Sequence, residues 1–252
     1  MTISDTVSLL SSIGACFAAI AAFLSVREAA KHRRLSYRPE LALSSVTFTA
    51  KKRQGGGIRL PLHWIRNDDN FIPASDSTYA AIPLANIGLA AAKNISLSWS
   101  FPIEAMTQRV REIANEVSCD AEFSYADGRL TMRSNEFGHV ITNWEFQRQR
   151  KIDYVIPVAI QKEAFALQLP GTYTLLVAAL VHLSARKGEF DLPIAQPLRL
   201  HATYYDIADD KYEMSFDIRF ELVAISPEDS ERTFHGVLSP EKIGRRHESR
   251  RG

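Results

Sequence analysis

An uncharged run of twenty residues near the start of the chain constrains its fold more than any other feature. Residues 7–26 read VSLLSSIGACFAAIAAFLSV and contain no acidic or basic side chain. A helix of this length rises about 30 Å, the thickness of the hydrocarbon core of a bilayer. Its large apolar side chains lie all round the helix, whereas a soluble amphipathic helix has one apolar stripe. They are Leu9, Leu10, Ile13, Phe17, Ile20, Phe23 and Leu24. Residues 7–26 are therefore predicted to form a transmembrane helix.

The charges that flank the run predict its orientation. The short leader, residues 1–6, carries Asp5 and no basic residue, which is unlike a cleaved secretory signal peptide. Residues 27–38 form a basic juxtamembrane helix or linker, and basic loops face the cytoplasm. The basic residues expected at the membrane surface are Arg27, Lys31, Arg33 and Arg34. We expect a single-pass protein of the inner (cytoplasmic) membrane with its carboxyl-terminal domain in the cytoplasm and the lipid bilayer as a partner.

Small residues recur at every fourth position of the predicted transmembrane helix. Gly14, Ala18 and Ala22 lie on one face and form the small-xxx-small pattern that lets two membrane helices approach closely. The row predicts self-association into a homo-oligomer. The alternative is that alanine serves only as a neutral filler in this span, and the sequence leaves both interpretations open.

Residues 39–225 are rich in short segments typical of β-strands. Ile95, Leu97 and Trp99 alternate with serines, the period of a strand that has one buried face. Ten such segments, bounded by Gly, Pro, Asn or Asp, predict a mainly β fold, a β-sandwich. The predicted strands are residues 41–49, 58–65, 79–86, 95–101, 121–125, 130–133, 152–160, 173–183, 198–206 and 212–223.

One amphipathic helix interrupts the strands. Apolar residues keep a 3.6-residue period over about residues 103–118, and Pro102 precedes them, which is typical of a helix start. We expect this helix to be an insertion packed on the sandwich. Farther along, Asp127-Gly128 between two strand segments predicts a tight hairpin, because both residues tolerate a positive φ.

The string Asn86-Ile-Gly88-Leu-Ala-Ala-Ala92-Lys-Asn94-Ile resembles a signature of bacterial immunoglobulin-like domains of the adhesion type. In such domains one strand ends at an Asn-x-Gly turn and the next begins at Asn-Val or Asn-Ile. We expect Gly88 to permit a positive φ, Ala92 to tuck under the connection, and both asparagines to satisfy turn backbone groups. The chain also resembles bacterial single-span proteins of uncharacterised function. The resemblance implies an immunoglobulin-like fold and no catalytic residue.

The sequence contains no standard catalytic or cofactor motif. Residues 55–57 are three glycines, but the Lys-Ser or Lys-Thr of a phosphate-binding loop does not follow them. His182 and His201, on strands expected to be neighbours, could bind a metal with Asp206, although no local spacing holds the three together. Asp206, Asp209 and Asp210 lack the pattern of a calcium loop and more simply close a hairpin. We predict no enzyme, no cofactor and no metal site.

Charge is balanced overall but not evenly distributed. The chain has 30 Lys and Arg against 29 Asp and Glu, a formal net charge of +1, so no nucleic-acid partner is expected. Residues 226–252 form a tail predicted to be disordered, whose basic residues could attract anionic lipid. These are Lys242, Arg245, Arg246, Arg250 and Arg251.

Together these features predict a membrane-anchored cytoplasmic β-sandwich that serves as a protein-binding or assembly module for a partner of unknown identity. The alternative is a ligand-sensing membrane effector, for example in bacterial defence, that oligomerises through its transmembrane helix. A deep pocket lined by polar groups would favour the effector, and a flat apolar patch or an exposed strand edge would favour the binding module.

Overall fold

The computed structural model describes residues 3–52, 57–67, 80–228 and 231–248. The helices are α1 (Ile3–Ser36), α2 (Ile103–Glu116), α3 (Trp144–Gln147) and α4 (Gly171–Lys187). The first strands are β1 (Leu41–Leu43), β2 (Val46–Lys51), β3 (His63–Arg66), β4 (Ala81–Asn86), β5 (Ala92–Ser100), β6 (Glu122–Ala126) and β7 (Arg129–Ser134). The others are β8 (Gly138–Asn143), β9 (Gln149–Val155), β10 (Phe165–Gln168), β11 (Leu198–Tyr205), β12 (Lys211–Glu228) and β13 (Glu231–Glu248).

The strands form three antiparallel sheets. The largest has seven strands in the order β3-β2-β13-β12-β11-β5-β9, and two three-stranded sheets have the orders β1-β4-β10 and β6-β7-β8. The sheets curl into a half-barrel. The prediction of a mainly β domain after an apolar amino-terminal helix is confirmed, and the immunoglobulin-like sandwich is not.

Residue periodicity explains the central strands. In β5, Ile95, Leu97 and Trp99 are buried and the residues between them face outward. In β12 the same alternation buries every second residue from Tyr212 to Phe220. Both patterns were visible in the sequence, because a half-buried strand must alternate with a period of two.

The predicted helix insertion and the predicted hairpin are also present. Helix α2 begins after Pro102 and buries Ile103, Met106 and Val110 against the core. Asp127 and Gly128 both have positive φ, 51° and 72°, and join β6 to β7. Local signals were sufficient at these two places because each structure is fixed within a few residues.

Residues 173–183 were predicted to form a strand, and this prediction is wrong. They lie in α4, which begins after Pro170 and ends at Gly188 with a φ of 77°. Nearly all of α4 is buried, and its residues contact α2, α3 and β8. A helix buried on every side has no amphipathic period, so its apolar run resembles that of a buried strand.

The tail was predicted to be disordered from residue 226, but residues 231–248 form β13. This strand lies between β2 and β12 in the seven-stranded sheet. Phe234 and Leu238 are buried on one face, where Phe234 joins an aromatic cluster with Phe48 and Trp64. The basic residues that suggested a disordered tail follow this apolar part of the strand. Residues 249–252, with Arg250 and Arg251, lie outside the described residues.

Helix α4 carries a titratable group within the core. Tyr173 is fully buried and meets the ring of Phe101 edge to face at 5.1 Å. Its hydroxyl has no hydrogen-bond partner among the described residues. Burial raises the pKa of Tyr173 well above the ordinary value. The folded state therefore holds this proton more tightly than the unfolded state, and the associated stability falls as the pH rises above the unfolded pKa of about 10.

We expect Tyr173→Phe to be at least as stable as the parent at pH 8, because the substitution removes a buried hydroxyl that has no partner. Between pH 8 and pH 11 the variant should lose about 1.4 kcal/mol less free energy of unfolding than the parent. Urea unfolding of the full chain in detergent, followed by tryptophan fluorescence, measures both values. Tyr154→Phe on exposed β9 is the control. Equal alkaline losses in the parent and Tyr173→Phe would contradict the assignment.

Candidate functional site

Helix α1 presents apolar side chains that no other described part of the chain covers. The 18-residue stretch Ile13–Ala30 is long and apolar enough to cross a membrane, and none of it is buried. Phe17 and Phe23 are each 68% exposed. Exposed aromatic side chains on all sides of a helix are costly in water and favourable in lipid. Among the described residues one helix could span a membrane, and the same helix continues into the predicted juxtamembrane segment and ends at Ser36.

The small residues of α1 are accessible to a second helix. Gly14, Ala18 and Ala22 lie four residues apart along α1 and are exposed. A Cβ atom added at Gly14 would meet nothing within 4 Å. No described segment of the chain packs on Gly14, and self-association through this row remains a prediction.

The basic residues predicted at the membrane surface all lie on α1. Arg27 is exposed near the end of the apolar stretch. The backbone of Lys31, Arg33 and Arg34 continues the helix, and their side chains lie outside the described residues. Their position is consistent with the interface of a membrane crossed by α1.

The Asn86 side chain joins three separate segments of the chain, one of which is the segment that follows α1. Its Oδ1 accepts hydrogen bonds from the backbone N–H of Glu40 at 3.0 Å and of Gly88 at 3.1 Å. Its Nδ2 donates to the carbonyl of Ala90 at 2.7 Å and to that of Val155 at 3.0 Å. Asn86 is fully buried, so each of these bonds satisfies a group that has lost contact with water. We call this arrangement the Asn86 clamp.

Gly88 lets the chain that leaves α1 pass close to this turn. A Cβ at Gly88 would lie 2.3 Å from the carbonyl oxygen of Arg38 and 2.5 Å from the backbone nitrogen of Glu40. Gly88 was expected to adopt a positive φ, but that conformation is found at Asn94, with a φ of 50°. Ala92 is buried and pairs with Val155. The signature residues therefore act together, with Gly88 needed for close approach.

In the described part of the chain, the long β12–β13 hairpin leaves part of β12 without a neighbour on one side. Strand β11 pairs with β12 only as far as Ile218, whereas β13 pairs with β12 to its end at Glu228. No backbone hydrogen bond in the described part of the chain joins residues 219–226 to a strand on the β11 side. Val223, the extra residue of a β-bulge, is 66% exposed. We call residues 219–226 the β12 edge.

The opposite side of the hairpin has a second open stretch with different chemistry. Strand β2 pairs with β13 only over residues 234–238. Beyond it lie Pro240, the exposed Ile243 in a bulge, and Lys242, whose Nζ lies 3.0 Å from Oε1 of Glu40. Proline and lysine are features that prevent an edge strand from pairing with another chain. This side of the hairpin is therefore poorly suited to strand addition.

An open groove of about 500 Å³ lies beside α2 and β6–β7. Arg111 from α2 and Arg133 from β7 line it, and Glu122 lies opposite Arg133 in the β6–β7 pairing. The Nε of Arg111 donates to the carbonyl of Phe123. The groove carries a small positive charge, and its open shape leaves a small molecule largely in water.

One cluster near the groove contains metal-type donor atoms. Cys119, Asp120 and Glu136 place one donor atom each within 4.8 Å of the others. Both oxygens of Asp120 accept hydrogen bonds, from the Ser134 hydroxyl and the Asn135 N–H, and these bonds lower the pKa of Asp120. Three further contacts surround the cluster. Glu136 forms an ion pair with Arg186, whose guanidinium lies over the Phe137 ring. The Ser134 hydroxyl also accepts a hydrogen bond from the Phe137 N–H.

The Cys119 thiol supplies the third donor atom of this cluster. Its partial burial raises its pKa above the ordinary value, which favours the protonated form that binds metals poorly. A cation at this position would also compete with Arg186 for Glu136. The cluster therefore satisfies its own charges and joins the start of β6 to the β7–β8 turn. Sequence reasoning missed it, because sixteen positions separate Asp120 from Glu136 and no motif has that spacing.

The structure does not bring the two candidate metal-binding histidines together on adjacent strands. His182 lies on α4, where its ring meets Phe137 edge to face at 5.0 Å. His201 lies on β11 and its Nδ1 is 3.0 Å from the Ser215 hydroxyl. Asp206 accepts hydrogen bonds from Ala208, Asp210 and Tyr212, so it closes the β11–β12 turn.

Comparisons with known proteins leave the assignment to the structure itself. No protein-family model matches the sequence, and no curated protein or solved structure is similar to it. The structural features that bear on function are therefore α1, the Asn86 clamp and the β12 edge.

We expect Gly88→Ala to lower the free energy of unfolding by about 1–3 kcal/mol, because its Cβ would overlap backbone atoms of residues 38–40. Gly244→Ala is a matched control, since a Cβ there would meet nothing within 4 Å. Urea unfolding of the full chain in detergent measures both variants. A Gly88→Ala variant as stable as Gly244→Ala would show that the clamp does not require close approach.

Proposed function

We propose that this chain is a single-span membrane protein whose β-rich domain binds an extended segment of a partner protein along the β12 edge. The observation that carries the proposal is the open side of β12 beyond Ile218. An unpaired strand edge offers alternating N–H and C=O groups to a segment of another chain. The β12 edge is also held firmly, because its other side pairs with β13 at every residue except Val223.

The side chains of the β12 edge support a protein partner. Val223 and Ala224 are exposed, so an added strand would cover apolar surface as well as form backbone hydrogen bonds. Ile225 of β12 and Phe234 of β13 line a small gap on the inner side of the hairpin. Val181 and His182 of α4 lie across this gap, so the inner side is already occupied. The β13 side carries Pro240 and Lys242. The contrast between the two sides favours β12 as the docking edge.

Helix α1 supports the membrane part of the proposal. Its apolar stretch is unburied, and the excess of basic residues that follows it favours a cytoplasmic position for the domain at the inner membrane. Pairing of two α1 helices through Gly14, Ala18 and Ala22 would place two β12 edges in one complex. Two linked sites bind a repeated or dimeric partner more tightly than one site does.

Two further interpretations have less support. The ligand-sensing effector would use the groove lined by Arg111 and Arg133, and that groove is open to solvent. The kinship with immunoglobulin-like domains of the adhesion type depends on the turn from Asn86 to Asn94 alone. We assign no catalytic role to any residue, because the polar groups of the Cys119 cluster are engaged with one another.

Site-specific photocrosslinking tests the proposed edge in the full chain, in membranes of cells that produce it. A photoreactive phenylalanine derivative replaces Val223 on the β12 edge or, as the matched control, Ile141 on β8, which is also exposed. We expect a discrete adduct with one protein from position 223 and none from position 141. The second variant, Arg219→Pro, removes one N–H at the start of the β12 edge and should reduce the adduct at position 223.

The stability of each variant is measured by urea unfolding, so that a misfolded protein is not mistaken for a lost partner. Equal labelling from positions 223 and 141 would contradict the proposal. The substitution Ala224→Lys adds a second test, because a charge there opposes strand addition. An adduct from position 223 that Ala224→Lys leaves unchanged would also contradict the proposal.

A further inference from the structure

One end of the seven-stranded sheet lies where α1 joins the domain. Strands β9 and β11 end there, β5 and β12 begin there, and their pairing places Ala92 opposite Val155 and Lys93 beside both Tyr154 and Tyr205. The Asn86 clamp attaches the backbone of Glu40, four residues after the end of α1, to this same end. The segment that follows α1 is therefore attached to this end of the sheet by hydrogen bonds.

Apolar side chains occupy the turns at this end of the sheet. Ile87 is exposed, and its N–H donates to the Glu40 carbonyl at 2.8 Å. Leu89 is exposed on the other side of Gly88. Turns usually present polar residues to water, so two exposed aliphatic side chains beside the exit of a candidate membrane helix form an unusual surface.

Two further turns add to this surface. Ile160 is 76% exposed in the turn that begins at Pro157, and Pro157 forms a bridge with Asn86. Ile207 is 72% exposed in the β11–β12 turn, which an ion pair between Lys93 and Asp209 ties to β5. We call the exposed residues at this end the apolar end. They are Tyr37, Ile87, Leu89, Ile160 and Ile207.

The distance from the membrane span supports lipid as the occupant. The uncharged run of α1 ends at Val26 and the helix ends at Ser36, ten residues later. Ten helical residues rise about 15 Å along the helix axis, and less along the membrane normal where the helix is tilted. Tyrosine and aliphatic side chains are favoured at the boundary between headgroups and acyl chains. The chain between α1 and the clamp is too short to carry the apolar end far from that boundary.

We propose that the apolar end inserts into the headgroup–acyl boundary of the bilayer that α1 crosses, so that the domain docks on the membrane surface. This inference rests on the membrane anchorage proposed for α1. It goes beyond anchorage, because a domain held only by a flexible linker would leave Ile160 and Ile207 in water. Docking would also fix the direction in which the β12 edge points relative to the membrane.

An environment-sensitive fluorophore tests the inference in the full chain reconstituted into vesicles of zwitterionic and anionic phospholipid. Single cysteines replace Ile87, Ile160 or Ile207 in a chain that carries Cys16→Ser and Cys119→Ser, and each is labelled with the fluorophore NBD. The matched control is Phe146→Cys, which is 84% exposed on α3, at the opposite end of β9. We expect blue-shifted emission, and quenching by a lipid-borne nitroxide, at the three test positions and not at position 146.

Two measurements separate this inference from the anchorage on which it rests. Resistance to extraction at alkaline pH reports whether α1 is inserted. If α1 resists extraction and the three labels emit as the label at position 146 does, the docking inference is wrong and the anchorage stands. If the chain is extracted, both are wrong. Urea unfolding confirms that each labelled variant retains the fold of the parent.

Discussion

The buried carboxamide of Asn86 connects the parts of this molecule that the chain keeps far apart in sequence. It holds the segment that leaves α1, the turn between β4 and β5, and the end of β9. A buried amide that lost one of these partners would leave a polar group without water or protein, at a cost of about 1–3 kcal/mol. The attachment of the helix to the sheet thus depends on hydrogen bonds within one turn, and Gly88 leaves the space that they require.

The second organising element is the fully buried helix α4. Residues of α4, α2 and the seven-stranded sheet belong to one apolar core, in which nearly all of α4 is buried. Because the hairpin β12–β13 is longer than the described strands on either side, the curved sheet also has two stretches that no described strand covers. One carries proline and lysine, which oppose pairing with another chain, and the other exposes valine and alanine.

Local patterns predicted the parts of the fold that local interactions determine. The alternation in β5, the period of α2 and the Asp127-Gly128 turn each need only a few neighbouring residues. The string around Asn86 was also visible, but its partners at Glu40 and Val155 come from distant segments. Helix α4 was mistaken for a strand because burial on all sides removes periodicity. Strand β13 was missed because its basic residues suggested a disordered tail. Phe234 and Leu238 are buried in the core only when β2 and β12 lie on either side of β13.

The central place of β13 has a consequence for biosynthesis. Val46 of β2 pairs with Leu238 of β13, so the seven-stranded sheet cannot form until the ribosome has synthesised and released both segments. Loop closure over such a distance is entropically costly and slow. Helix α1 emerges long before that moment and can enter the membrane first. Until β13 is available, the side of β2 that pairs with it stays open, and an open strand edge favours aggregation.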